Sequence, residues 1–137
     1  MSVTVRMVEP GDESAWAELY AGYRAFYRLA DDASAVATTW QWVRDGEHGL
    51  VGLVAVDDAG RPVALANLRW FARPSSATMG LYLDDLFTAP EARGNGAASA
   101  LLQDAADRAG ARGGSVVRWI TAADNATARS LYDLHAV

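Results

Sequence analysis

A chain of 137 residues, 51% of them hydrophobic, is one domain's worth of sequence and enough for a single core. A formal net charge of −5 argues against a nucleic-acid or anionic-membrane binder and favours cationic partners. The lack of cysteine removes disulfides, thiolate metal sites and a cysteine acyl-enzyme, and with two histidines no transition-metal site is expected. No segment approaches a membrane span and the first residues lack the apolar core of a signal peptide, so a cytoplasmic protein is expected. All twelve basic residues are arginine, which a GC-rich genome explains; a lysine-directed activity could not act on this chain itself.

In chain order, Val3 to Val8 alternates and is β-branched, which predicts a first strand. Pro10-Gly11-Asp12 breaks it and offers Asp12 as a helix N-cap. Trp16, Leu19, Tyr20, Tyr23 and Tyr27 recur at threes and fours, the stripe of an amphipathic helix. Ser34 is expected to cap a second helix through about Val43. Leu50 to Val56 reads as a strand, Asp57-Asp58-Ala59-Gly60 as a hairpin turn and Pro62 to Phe71 as the partner strand. After the loop Arg73-Pro74-Ser75-Ser76 comes a strand from Thr78 to Thr88. Gly96 to about Ala109 is a helix with Leu101, Leu102, Ala105 and Ala109 on one face, ended by Gly110 to Gly114. Ser115 to Thr121 is a strand, and Asp124-Asn125 caps a last helix carrying Ala128, Leu131 and Tyr132. The order β-α-α-β-β-β-α-β-α, an antiparallel meander followed by one βα crossover, implies an α/β (α+β) fold: a mixed, mostly antiparallel sheet with helices on both faces. Such a sheet is expected to need further strands beyond Val137 to cover its edge.

The segment richest in chemistry is Asp84-Asp85-Leu86-Phe87-Thr88-Ala89-Pro90-Glu91-Ala92-Arg93-Gly94-Asn95-Gly96-Ala97-Ala98. A strand with two carboxylates runs into an Arg-Gly-x-Gly turn that opens a helix. Gly94 and Gly96 remove Cβ atoms where a diphosphate must approach, the first helical turn leaves N–H groups unpaired, and Arg93 adds a charge. A solvated loop before an ordinary helix is the plain alternative. A dinucleotide turn needs a third glycine and the first strand of a βαβ unit. Here the third position is Ser99 and the motif follows the fourth strand, which excludes it.

These residues resemble the GNAT-superfamily N-acetyltransferases. That superfamily's phosphate motif is Arg or Gln, two residues, Gly, one residue, then Gly or Ala, which Arg93, Gly96 and Ala98 fit in register. A second signature matches from Trp119 through Thr121, Asp124, Asn125, Ala128 and Leu131 to Tyr132 and Asp133. Leu83-Asp84-Asp85-Leu86-Phe87 before Arg93-Gly94 is similar to the branch of spermidine/spermine and related small-amine acetyltransferases, where an acidic pair, normally Glu then Asp, stands here. Asp84 is one methylene shorter than that Glu, and a bridging water would extend its reach.

The resemblance implies a GNAT fold over residues 1–137, incomplete at its C-terminus, and acetyl-CoA as cosubstrate. Leu86, Phe87 and Thr88 would pair with the pantetheine arm. Arg93, Gly94, Asn95, Gly96, Ala97, Ala98 and Ser99 would hold the pyrophosphate, Asn125 would contact the cofactor, and Tyr132 would face its sulfur. No metal is implied. The bottom-up chemistry agrees: an amine of pKa about 10.4 must lose a proton before attacking a thioester, and Asp84 is the best-placed base. Each residue also has a plain reading. Tyr132 sits on an apolar helix side, Asn125 could be a cap, and the stripe Trp16, Tyr20, Tyr23 and Tyr27 is first of all core, its exposed members lining an acceptor pocket. Asp84 and Asp85 are expected to point to opposite faces of their strand. The implied activity is acetyl transfer to a primary amine, on a small molecule or a peptide, by direct attack in a ternary complex; the alternative is a module that binds acyl-CoA without turnover. Relatives of this kind suggest a homodimer, with neither nucleic acid nor membrane as partner.

Overall fold

The computed structural model describes residues 2–114 and 116–117. Five strands form one sheet in the order β1-β2-β3-β4-β5: β1 (Thr4–Met7), β2 (Leu50–Val56), β3 (Pro62–Arg73), β4 (Thr78–Thr88) and β5 (Val116–Val117). The first four pair antiparallel and β5 joins β4 in parallel, giving the mixed sheet expected from the element order. Helices α1 (Glu13–Phe26) and α2 (Ala33–Asp45) cover one face and α3 (Ala97–Gly110) the other.

The period-two pattern of the central strands explains this division. Val51, Leu53 and Ala55 of β2 and Ala64, Ala66 and Leu68 of β3 point to α3, where Leu101, Leu102, Ala105 and Ala109 are at most 1% exposed. Val54 and Val56, with Val63 and Leu65, point to the α1/α2 side and meet Trp16, Leu19, Trp40 and Val43. Both faces are covered, which is why β2 and β3 read as near-continuous apolar runs. The Asp57–Gly60 turn forms as expected, the Asp57 carboxylate accepting from the N–H groups of Ala59 and Arg61, both at 2.9 Å.

Two cap assignments differ from the sequence reading. Asp12 stands at the α1 N-cap, but its side chain accepts no hydrogen bond from the α1 N–H groups. Its carboxylate is taken instead by the Arg6 guanidinium at 2.7 and 3.0 Å and by the Glu9 N–H at 2.8 Å, because β1 brings Arg6 across to it. The second helix starts earlier than Ser34: the Asp32 side chain accepts from the Ala35 N–H at 3.0 Å, and Gly46 closes the helix at φ +67°. The strand expected from Ser115 to Thr121 is described at Val116–Val117; the last helix lies outside the described residues.

Candidate active site

The register of β3 against β4 shapes the candidate site. Asn67 pairs with Asp85, but the next residue of β3, Leu68, pairs with Leu83. Asp84 therefore has no partner across the ladder and forms a β-bulge. The bulge breaks alternation: Leu81 and Leu83 face α3, and so does Leu86, three residues on. Asp84 and Asp85 are consequently both on the α1/α2 face, which corrects the expectation that they diverge. Their partners show it directly. Asp84 meets the Arg69 guanidinium at 3.2 Å, and Asp85 accepts from the Asn67 amide at 2.9 Å; Arg69 and Asn67 both lie on the odd-numbered, α1/α2 side of β3.

Over these acids lies an aromatic ladder built by the helical spacing of α1. Trp16 and Tyr20 have ring centroids 4.9 Å apart, Tyr20 and Tyr23 stack at 5.5 Å, and Tyr23 meets Tyr27 at 4.9 Å. Trp16 and Tyr20 are core residues, as expected, while Tyr23 and Tyr27 are half-buried. Burial, and next the negative charge of Asp85, push the hydroxyls of Tyr20 and Tyr23 well above the ordinary tyrosine range. Both therefore stay protonated and face Asp85 as donors. Burial also raises the Asp84 carboxyl above its ordinary value; the Arg69 guanidinium pulls the other way and the Asp85 charge adds to the rise. Its side chain keeps 29% of its surface, so Asp84 is a solvent-reachable carboxylate of raised basicity.

β4 then runs through Leu86, Phe87 and Thr88 to the glycine turn. Among the described residues, β5 pairs with β4 at Leu81 and Tyr82. Phe87 is buried toward α1, where Gly22 admits its ring: a Cβ at Gly22 would stand 2.8 Å from it. Gly94 and Gly96 have φ of +85° and +80° with open space where a Cβ would be, a conformation that favours glycine and leaves room for a ligand. Gly96 is the N-cap of α3 and supplies no side-chain cap; the helical ladder starts with Ala100 N–H to Gly96 O at 2.9 Å, so the N–H groups of Ala97 and Ala98 precede it. An uncapped helix start behind two open glycines fits a diphosphate. Asn95 is exposed in the turn, and Ser99 is half-buried in the first turn of α3.

Arg93 departs from the simple picture. Its Nε donates to the Thr88 carbonyl at 3.2 Å, and its guanidinium lies over Phe87 and Phe26 at 5.5 and 6.0 Å. It thus braces the end of β4 and borders a cleft of about 440 Å³ between α1 and the strand ends, lined also by Leu19, Gly22 and Arg61. That cleft does not contain Asp84. Tyr132 and Asn125 lie outside the described residues.

Two residues of this site were not singled out from sequence. Asn67 is 2% exposed, and its Oδ1 has no partner among the described residues. A lone amide inside the apolar run Val63–Leu68 was the available signal. Arg69, whose guanidinium carbon sits 4.7 Å from the Tyr82 ring centre, carried no local signal at all.

The site thus joins an open glycine turn at an uncapped helix start to a bulged strand that carries a carboxylate pair. The Acetyltransferase (GNAT) family model matches residues 16–136. The chain is 35% identical over 133 residues to the uncharacterized N-acetyltransferase YhfO of Bacillus subtilis, covering 96% of this chain and 87% of that one. It is 28% identical over 131 residues to the D-amino-acid N-acetyltransferase HPA3 of Saccharomyces cerevisiae, covering 95% and 81%. Its fold resembles the crystal structure of a probable acetyltransferase at TM-score 0.84 and 23% identity, over 98% of this chain and 87% of that one. The chain belongs to the GNAT acetyltransferase family and is an N-acetyltransferase with acetyl-CoA as its cosubstrate. Among the described residues no helix is long and apolar enough to cross a membrane.

Proposed function

We propose that this enzyme transfers the acetyl group to a primary amine by direct attack in a ternary complex. The observation that carries the reading is the bulge at Asp84, which sets two carboxylates on one face beneath the α1 tyrosines, on the strand that leads to the open turn. Acetyl-CoA supplies an activated thioester; the chain supplies the rest. Gly94, Asn95, Gly96, Ala97, Ala98 and Ser99 hold the diphosphate on backbone N–H groups, with Arg93 bracing the loop, and Leu86, Phe87 and Thr88 align the pantetheine. Asn125 adds a cofactor contact. Asp85, with the hydroxyls and faces of Tyr20 and Tyr23, receives the protonated acceptor, since an aromatic face and a carboxylate both favour a cation. Asp84 then takes the proton from the acceptor nitrogen, which its raised basicity suits. Tyr132 gives its proton to the leaving thiolate.

The acid pair before the turn keeps small amines foremost among acceptors, and the likeness to a yeast D-amino-acid N-acetyltransferase keeps amino acids among them. The whole chain is read as one such domain, cytoplasmic and homodimeric. The test is thiol release from acetyl-CoA with a panel of amines, followed by initial-velocity patterns. Intersecting lines support direct attack; parallel lines refute it, and cofactor binding without release across the panel refutes amine transfer.

A further inference from the structure

Arg69 is not needed to bind a cosubstrate or to move a proton, yet it stands on the acceptor face. It follows Asn67 by two residues on β3, so both project to the α1/α2 side. Across the ladder it pairs with Tyr82, and its guanidinium rests on that ring at 4.7 Å, which fixes its position. Its side chain is 51% exposed. One guanidinium nitrogen meets Asp84 at 3.2 Å. The acceptor face therefore holds two carboxylates with Arg69 beside them, a planar fork of five N–H donors.

We propose that the acceptor is a zwitterion with a carboxylate next to its amine, an α-amino acid in the simplest case, and that Arg69 holds that carboxylate. The inference rests on the primary-amine reading above. Residues that neighbour one another on one face of a ladder are on the order of 5 Å apart, a span that the amine and carboxylate of an α-amino acid bridge with one hydrogen bond at each end. Such a molecule exchanges the single Arg69–Asp84 pair for two: ammonium to the acids, carboxylate to the guanidinium. Guanidinium suits this because it matches a carboxylate two-pronged. A polyamine would instead bring its second positive centre against Arg69. The arginine thus discriminates between two acceptor classes that the acid pair alone admits.

The test compares the full-length enzyme with Arg69→Gln on alanine, leucine and methionine in both configurations, each against its carboxamide and its decarboxylated amine. In the wild type, kcat/KM for the free acid should exceed that for the carboxamide at least tenfold. Arg69→Gln should lower kcat/KM for the acid by about ten- to a hundredfold, the worth of a charge-assisted hydrogen-bond pair. Because Arg69 also bears on the Asp84 carboxyl, the carboxamide should change too, but by at least fivefold less than the acid. Carboxamides or plain amines matching the acids in the wild type would overturn the inference while leaving amine transfer standing. So would an equal loss for acid and carboxamide in Arg69→Gln. Acetylation of no amine, in these sets or a wider panel, overturns the primary-amine reading and this inference with it.

Discussion

Replacing Asn67 by Val separates the cost of the site from the cost of the fold. Asn67 is 2% exposed in the middle of the sheet; its amide donates to Asp85 at 2.9 Å, and its Oδ1 is unpartnered among the described residues. Valine removes one hydrogen bond to a charged group, a loss of about 2 kcal/mol. It also removes a buried carbonyl without a partner among the described residues, worth about 1–2 kcal/mol, and buries an aliphatic side chain worth roughly 1.5–2 kcal/mol. The β-branched residue suits a strand. The net expectation is a variant about 0.5–2 kcal/mol more stable, seen as a rise of roughly 2–7 °C in Tm for a chain of this length. Activity should move the opposite way, because Asp85 loses the donor that aims it at the acceptor: kcat/KM should fall at least tenfold, mostly through acceptor KM, with acetyl-CoA affinity unchanged. Urea denaturation and steady-state kinetics check the two halves. A loss of more than about 2 kcal/mol with activity retained would show that Asn67 serves the fold rather than the site.

Gly96→Asp places a carboxylate at an open position of φ +80° ahead of α3. At about 5 Å from a phosphate charge and an effective dielectric of 20 this costs roughly 3 kcal/mol, so calorimetry should show acetyl-CoA bound on the order of a hundredfold more weakly; wild-type affinity would show the diphosphate lies elsewhere. Asp12→Ala removes a carboxylate, 8% exposed, that holds the Arg6 fork and the Glu9 N–H, and should cost about 3 kcal/mol, read by thermal melting. The Arg6 hydrogen bond lowers the Asp12 pKa, so this stability is present above the ordinary carboxylate pKa and is lost as pH falls through the lower folded value; variant and wild type should converge in acid. Asp84 has the opposite sign: its folded pKa is raised, so ionising it as pH rises destabilises the fold, while base catalysis requires the ionised form. The acid limb of kcat/KM should therefore lie above the ordinary carboxylate range. Asp84→Asn should remove that limb and lower kcat by about 10²–10⁴, leaving only the limb due to acceptor protonation; an unchanged profile would refute the role.

Much of the fold was legible in local sequence, because its elements are specified by short-range chemistry. β2 and β4 begin and end where their apolar runs and turn residues do, and α3 carries its buried Leu101, Leu102, Ala105 and Ala109 at helical spacing. The phosphate turn was legible for the same reason: glycine tolerance of positive φ and an uncapped helix start are properties of a few consecutive residues. What the acids and arginines do was decided by the partners that the folded backbone brings to them. Asp12 looks like a cap until β1 brings Arg6 to it, and Arg93, expected at the phosphate, has a guanidinium that reaches Thr88 O and lies over the rings of Phe87 and Phe26. Strict alternation sends Asp84 and Asp85 to opposite faces. Only the pairing of β3, where Asn67 takes Asp85 and Leu68 takes Leu83, creates the bulge that turns both toward Arg69 and the α1 tyrosines. A bulge is a count of residues on two strands, so neither strand's own sequence contains it.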